Sequence, residues 1–387
     1  MSFIPLPRLF QSSLFQKMER ERSPFLWCHG RKSLSLPSHK PSPSFDCTSD
    51  RVFSLKPPFQ KKGVPMAKKK ETQGKMDEHK PFVHKSVLAK EVVDFLQPKP
   101  GMTILDGTLG GGGHAELFLK AGATVIGLDR DPEALAFASE RLKIYGDRFI
   151  PKEGNYVDAD KYLSAIGIPR VDGILLDLGV SSYQLDTAER GFSFQKEGPL
   201  DMRMGNSSTT AADIINSAPL SELLSIFRNY GDEPRAMMMA TRIIRERQHQ
   251  VITTTTQLSS IVAAGMPLGP RHPATRIFQA LRIAVNEEIS QLEEALPRLS
   301  NILEPKGLIG GGRLAIITFH SLEDRPVKRF FRKHAAVELD DPTWSAPRPN
   351  PDRIFTLPKN WSLEASPEEI SKNPRARSAR LRMAEHL

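Results

Sequence analysis

An α/β fold is predicted for this 387-residue chain, a Rossmann-like parallel sheet interrupted by an inserted all-helical domain. Three observations predict it. From about residue 76 onward short apolar runs alternate with helical stretches, and three runs end in an acid, at Asp106, Asp129 and Asp177. A glycine-rich turn, GTLGGGGH at 107–114, joins the first run to the first helical stretch. Between residues 186 and 292 the strand pattern gives way to helical periodicity, and a strand-like run returns at 313–319.

Taken in order, residues 102–105 read as a strand closed by Asp106, and 115–120 as a helix stopped by Gly122. A second strand, 124–128, is closed by Asp129. Asp131-Pro132 then opens a helix reaching residue 143, a cap followed by proline at the first helical position. A third strand is expected at 148–151, with Asn155-Tyr156 in the loop beyond, and a fourth, fully buried one at 171–177. Within the inserted segment, Thr210 and Asp213 form a capping-box pattern, 220–230 is a helix ended by Gly231, and 257–264 is a helix ended by Gly265. Ile277, Leu281, Val285, Ile289, Leu292 and Leu296 recur at helical spacing along what reads as one long helix, a core-packing stripe. The expected organisation is a leader and linker at 1–75, a sheet domain formed by 76–185 and 293–387, and a helical lid at 186–292 that leaves a cleft over the strand ends.

Charge divides along the same lines. Residues 1–75 hold 15 basic and 5 acidic side chains, whereas 76–387 hold 39 and 40, so the net charge of +9 belongs to the leader. The body is neutral, and a polyanionic partner must be argued from local clusters. The leader is basic, rich in Ser and Pro, and without apolar periodicity, the composition of an organellar transit peptide. A chloroplast is favoured over a mitochondrion, because arginine does not dominate and the prolines would interrupt an amphipathic helix. The only cysteines, Cys28 and Cys47, lie in this leader, which leaves the body without a thiol nucleophile, a disulfide or a cysteine zinc site. No apolar run approaches the ~18 residues of a membrane-spanning helix, and no membrane partner is expected.

The glycine turn and the acid 19 residues beyond Gly110 suit a nucleotide-type ligand, with Asp129 placed to accept hydrogen bonds from ribose hydroxyls. GGGGHA at 110–115 also fits the dinucleotide fingerprint, which keeps an NAD-dependent dehydrogenase open as an alternative. A phosphate-cradling NTPase loop fails, since His114 stands where Lys-Ser or Lys-Thr is required. Asp106 at the head of the turn would repel a pyrophosphate but suits a cationic sulfonium, which favours S-adenosylmethionine. Tyr156 is placed either to stack on an adenine or to be a half-buried loop aromatic.

Eight collinear segments carry a resemblance: HKSVL at 84–88, DGTLGGGGH at 106–114, GILLDLGVSS at 173–182, ERGFSF at 189–194, GPLDMR at 198–203, HPATR at 272–276, FHSLEDR at 319–325 and NPRARS at 373–378. Together they closely resemble the bacterial MraW (RsmH) family, from about Pro81 to the C-terminus. The resemblance implies a class I methyltransferase sheet and an S-adenosylmethionine-dependent enzyme acting on the exocyclic N4 amine of a cytidine in the decoding centre of small-subunit (16S) ribosomal RNA. It implies cofactor contacts at Gly112, Gly113, His114, Asp129, Tyr156, Asp177 and Gln184, beside Asp106. Tyr183 stands where the family usually has proline, and the stretch 306–312 is longer than the family's turn. A non-catalytic ribosome-assembly factor that kept the fold for RNA binding is the alternative from another class, disfavoured by the intact Asp106, Gly113 and Asp129.

The cytosine amine is a poor nucleophile because its lone pair is delocalised into the ring. An acceptor on its N–H in a water-poor pocket, with the methyl held in line, localises that pair. Asp177 is the leading candidate for this role, with Asp201 and His320 as alternatives. Ser181 and Ser182 lack a nucleophile elbow and read as hydrogen-bonding residues. His114 and His320 stand without a second metal-type ligand at motif spacing, so no metal is expected. For the RNA, or the assembling small subunit that contains it, Arg325, Lys328, Arg329, Arg332 and Lys333 share a short helix with Phe330 and Phe331. Arg375, Arg377, Arg380 and Arg382 form a second basic tract; both suit phosphate contacts.

Overall fold

The computed structural model describes residues 86–267, 269, 272–307 and 310–387, with the side chain of Ser182 left undescribed. The leader at 1–75, and His84 and Lys85 of the HKSVL segment, lie outside the described residues.

Five parallel strands form the heart of the sheet: β1 (Thr103–Asp106), β2 (Thr124–Asp129), β3 (Phe149–Glu153), β4 (Gly173–Asp177) and β5 (Arg313–Thr318), in the order β3-β2-β1-β4-β5. Parallel strands need a helical crossover and cover on both faces, and the sequence alternation supplies it. Ile104, Val125, Leu175 and Ile317 face α1 (Ala89–Leu96), α2 (Gly113–Lys120) and α3 (Pro132–Leu142). Leu105, Ile126, Ile174, Leu176 and Ile316 face the opposite way, where α4 (Ala159–Ala165) contributes Leu163. Asp131 caps α3 by accepting the Glu133 N–H, as its Asp-Pro start predicts.

After β4 come a short helix, α5 (Ser182–Asp186), and then α6 (Ala211–Ser217), α7 (Leu220–Asn229), α8 (Ala236–Arg247), α9 (Thr255–Ala263) and α10 (Ala274–Asn286). From α6 to α10 they enclose an apolar core of their own, with Ile215, Phe227, Ile243, Leu258, Ile277 and Leu281 at its centre. The single long helix expected over 277–296 is two helices. Glu287 adopts a left-handed conformation (φ 52°, ψ 34°) and separates α10 from α11 (Glu288–Asn301). The apolar stripe runs through the break because its halves serve different cores. Ile277, Leu281 and Val285 pack in the helical layer, whereas Leu292, Leu296 and Leu299 pack under the sheet. The boundary expected at 292/293 therefore moves to Glu287, and α11 belongs wholly to the sheet side.

Beyond β5 lie α12 (Ser321–Ala335), a ribbon of β6 (Glu338–Leu339) with β7 (Arg348–Pro349), then β8 (Phe355–Thr356), β9 (Ser362–Glu364), α13 (Pro367–Lys372) and β10 (Arg380–His386). β10 pairs antiparallel with β5 and carries β8 and β9 on its outer side. In the long 306–312 stretch, Gly307 and Gly310 exchange backbone hydrogen bonds (3.1 and 3.4 Å) ahead of β5; Leu308 and Ile309 lie outside the described residues.

Candidate active site

Register places the three strand-end acids together. Asp106 is paired with Gly127 on β2 and with Leu175 on β4, so Asp129 and Asp177 each stand two residues further along the flanking strands. Positions two apart share a face, and all three carboxylates therefore point to one side of the sheet. Asp106 is 1% exposed, and its Oδ1 accepts the Thr108 N–H at 3.2 Å. Burial pushes its carboxyl up to about 7, against the lowering influence of His114. Asp129 accepts N–H groups from Gly110 (2.7 Å) and Asp131 (2.8 Å), yet burial still raises it to about 6.

A cavity of about 450 Å³ opens over these strand ends. Gly110, Gly113, His114, Asp129, Tyr156, Asp177 and Gln184 line it, so the structure brings most of the sequence-predicted cofactor residues to one place. His114, in the first turn of α2, is 5% exposed with neither ring nitrogen hydrogen-bonded. Its Nε2 lies 3.6 Å from Asp177 Oδ2, and Asp177 Oδ1 also lacks a partner. Gln184 is held on both ends of its amide. Its Oε1 accepts the Ser181 N–H (3.0 Å) and its Nε2 donates to Asp131 Oδ2 (2.8 Å), while the Ser181 hydroxyl accepts the Gln184 N–H (3.2 Å). This capping box gives Ser181 the hydrogen-bonding role expected of it and shows α5 formed in spite of Tyr183 at the proline position. The Tyr156 phenol is driven strongly upward by burial, then by Glu288 and Glu323, and stays neutral.

Asp106, almost fully buried, is not itself part of the wall, and two further predicted residues sit elsewhere. Gly112 is not part of the cavity wall: a Cβ there would meet Leu142 Cδ1 at 2.9 Å, and its φ of +74° shapes the turn, so glycine is required by packing on α3 rather than by ligand approach. Asp201 is also outside the wall. Arg203 grips both its oxygens (2.8 and 2.7 Å); burial raises its carboxyl, but those bonds outweigh it and hold the group below the ordinary range. It braces a loop that buried Asn286 pins by accepting the Met204 N–H (2.9 Å) and donating to the Met202 carbonyl (2.7 Å).

His320 lies one layer behind the wall formed by Phe319 and Glu323. It caps α12, its Nδ1 accepting the Glu323 N–H at 3.3 Å. Contrary to the expectation of isolation, it stands with two acids, Glu288 and Glu323, in a group whose ligand-type atoms fall within 4.8 Å of one another. Sequence reasoning missed the reason. Arg282 on α10 donates to both oxygens of Glu288 (2.8 and 2.7 Å) and lies 3.7 Å from Glu323, filling the place of a cation. Burial raises Glu323, but His320, Arg282 and the Phe319 N–H (2.7 Å) together hold it below the ordinary range. Its Nε2 lies 3.1 Å from Glu323 Oε1 and 3.3 Å from an Arg282 guanidinium nitrogen. The signal was Glu323 within FHSLEDR and a lone arginine on an otherwise apolar helix stripe.

The basic tracts divide. On α12, Arg325, Arg329, Arg332 and Lys333 are exposed and Lys328 half-buried, but Phe331 is fully buried and Phe330 packs on Phe355 and His334. These aromatics belong to the core, so only the basic side chains of this helix are left for phosphate contacts. In the second tract Arg375 and Arg377 are exposed, and Arg375 pairs with Asp186 (3.1 Å) on the rim of the cavity. Arg380 pairs with Glu364, and Arg382 is 3% exposed, bound to Asp324 (2.8 Å) over the Trp361 ring.

No Lys or Arg forms an ion pair with Asp106, Asp129 or Asp177 among the described residues. A carboxylate taken from water needs a proton or a counter-charge, and a ligand carrying positive charge in this cavity would supply the second. The chemistry of this set suits a sulfonium nucleoside: the wall holds Asp129 beside Gly110, the aromatic Tyr156 and the carboxylate Asp177, with Asp106 on the strand between. The sheet and this cavity define an S-adenosylmethionine-dependent methyltransferase. The chain belongs to the MraW methylase family, whose pattern matches residues 81–387. Among curated relatives, proteins named ribosomal RNA small subunit methyltransferase H are 48% identical in Syntrophotalea carbinolica and 49% in Trichlorobacter lovleyi, each over 314 residues. The alignments cover 79% of this chain and 98% and 99% of those proteins. Membership in a methylase family sets the dehydrogenase reading aside.

Proposed function

We propose that this chain transfers the methyl group of S-adenosylmethionine to the exocyclic N4 amine of a decoding-centre cytidine in small-subunit ribosomal RNA, within an organelle. The observation that carries the chemistry is the pair Asp129 and Asp177 in the cavity wall with buried Asp106 on the strand between them, none of them paired with a Lys or Arg among the described residues, in a chain of the MraW methylase family. The RNA substrate follows from the names of relatives nearly half identical over almost their whole length. The organelle, a plastid ahead of a mitochondrion, rests on the composition of residues 1–75.

When bound, the cofactor supplies an electrophilic methyl on a cationic sulfur. This chain's residues do the rest. Asp129 orients the ribose through lone pairs left over from its two backbone bonds. Asp177, whose Oδ1 is unpartnered in the cavity wall, accepts an N–H of the incoming amine and so turns the nitrogen lone pair toward the methyl. Leu178, Val180, Met204 and Phe319 line the same space and thin out water around the reacting nitrogen. Residues 186–287 form the substrate-recognition layer, and the exposed Arg325, Arg329, Arg375 and Arg377 take phosphates, with Lys328 and Arg380 beside them.

Mapping N4-methylcytidine in organellar small-subunit RNA with and without this protein tests the reading. Loss of the mark at one cytidine is expected; unchanged methylation rejects the substrate. Asp177→Asn is expected to bind S-adenosylmethionine normally while losing about 10²- to 10⁴-fold in rate, measured by single-turnover methyl transfer.

A further inference from the structure

The charge balance of methyl transfer poses a question that the cavity answers. The amine nitrogen forms a bond to the methyl carbon, the carbon–sulfur bond breaks with its electron pair on sulfur, and one N–H proton must leave the nitrogen. A cationic cofactor becomes a neutral thioether, so the buried carboxylates lose their compensating charge at the moment a proton is freed.

Three features of the wall are built for that event. His114 is almost fully buried, with both ring nitrogens free of hydrogen bonds. It lies 3.6 Å from Asp177 Oδ2, next to the carboxylate that meets the amine. Asp106 lies beneath them on the central strand, with a single backbone N–H at 3.2 Å and no cation paired to it among the described residues. We propose that Asp177, His114 and Asp106 act as one proton trap, which keeps the liberated proton until the thioether product leaves and so couples proton departure to product release. This rests on the function proposed above.

The groups around the trap agree with it. Asp106 is faced by Asp129 from β2, Asp177 from β4 and His114 from α2. Two of those three are acids, and each raises the proton affinity of Asp106. Arg130, the basic residue next to Asp129, turns its guanidinium to the Asn286 carbonyl (3.1 Å) and Gln291 (3.2 Å). Across the cavity, Arg375 is spent on Asp186, and Glu323 adds a further negative charge. Burial already lifts Asp106 to about 7 without a ligand, so a modest change in local charge decides whether it is protonated. Because the groups interact, they titrate as a unit rather than singly.

Calorimetric titration of the whole chain at pH 7 with S-adenosylmethionine and with S-adenosylhomocysteine, each in two buffers of different ionisation enthalpy, reads the protons exchanged on binding. The trap predicts that the neutral thioether takes up more protons than the sulfonium, with a difference approaching one. In Asp106→Asn that difference shrinks. Equal proton exchange for the two ligands in the wild-type chain overturns the proposal, and an undiminished difference in Asp106→Asn removes Asp106 from the trap. Failure of both ligands to bind overturns instead the reading of the cavity as the cofactor site.

Discussion

Two buried charge clusters lie on the walls of one cavity, and they are finished to different degrees. At the rim of helices α10, α11 and α12, Glu288 and Glu323 share the guanidinium of Arg282, with His320 closing the group. At the strand ends, Asp106, Asp129 and Asp177 have backbone N–H groups and a neighbouring histidine, but no paired cation. The first cluster carries its own cation and ties the helical layer to the sheet. The second is incomplete without a ligand, and that incompleteness is what the chemistry uses. A built-in cation, rather than burial or acidity, separates the two clusters in this molecule.

Removing the internal cation should have the largest effect. Arg282→Met leaves buried Glu323 and half-buried Glu288 without their cation and is expected to cost about 3–5 kcal/mol of stability, read from urea unfolding. If the loss is under about 1 kcal/mol, on the scale of an exposed pair, the first cluster is not the tie described here.

The opposite sign is expected at the strand ends. Asp106 has a raised folded-state value, so its contribution favours folding below about pH 4 and is lost as pH rises toward 7. Asp106→Asn removes that penalty and should stabilise the ligand-free protein above pH 7 by on the order of 4 kcal/mol, with the gain fading as pH approaches 4. A destabilised variant at pH 8 would show that the carboxylate is already compensated.

A smaller effect is expected at the surface. Replacing Arg375 and Arg377 with alanine should flatten the salt dependence of RNA binding, lowering the slope of log K against log salt by about 0.7 for each phosphate that these arginines neutralise. An unchanged slope would place the RNA elsewhere. Smallest is Asp201→Asn, whose carboxylate is committed to Arg203 away from the cavity. Its methylation rate should fall by less than the tenfold that corresponds to about 1.4 kcal/mol.

The two clusters were unequally legible in the sequence. The strand-end acids could be found because each closes a continuous apolar run, and parallel register converts that local pattern into a spatial one. The Asp131-Pro132 cap and the Thr210–Asp213 capping box were likewise readable, since their hydrogen bonds span two or three residues. The Arg282 cluster joins residues from three helices, and no spacing rule connects position 282 to 323. Glu287 hid for a different reason: the apolar period passes through it unbroken, and only the partner surfaces change. α8 was obscured because Arg242, Arg245 and Arg247 flank its buried Ala236, Met239, Ala240 and Ile243. Phe330 and Phe331 stand among the basic residues of α12 in sequence, yet helical geometry turns them inward.

The contrast between a cavity carboxylate and a committed one gives the most direct test. Equilibrium titration with S-adenosylmethionine should show binding weakened at least about tenfold, or 1.4 kcal/mol, by Asp129→Ala, and unchanged by Asp201→Ala. Equal affinity in both variants and the wild-type chain would contradict the assignment of the strand-end cavity as the methyl-donor site.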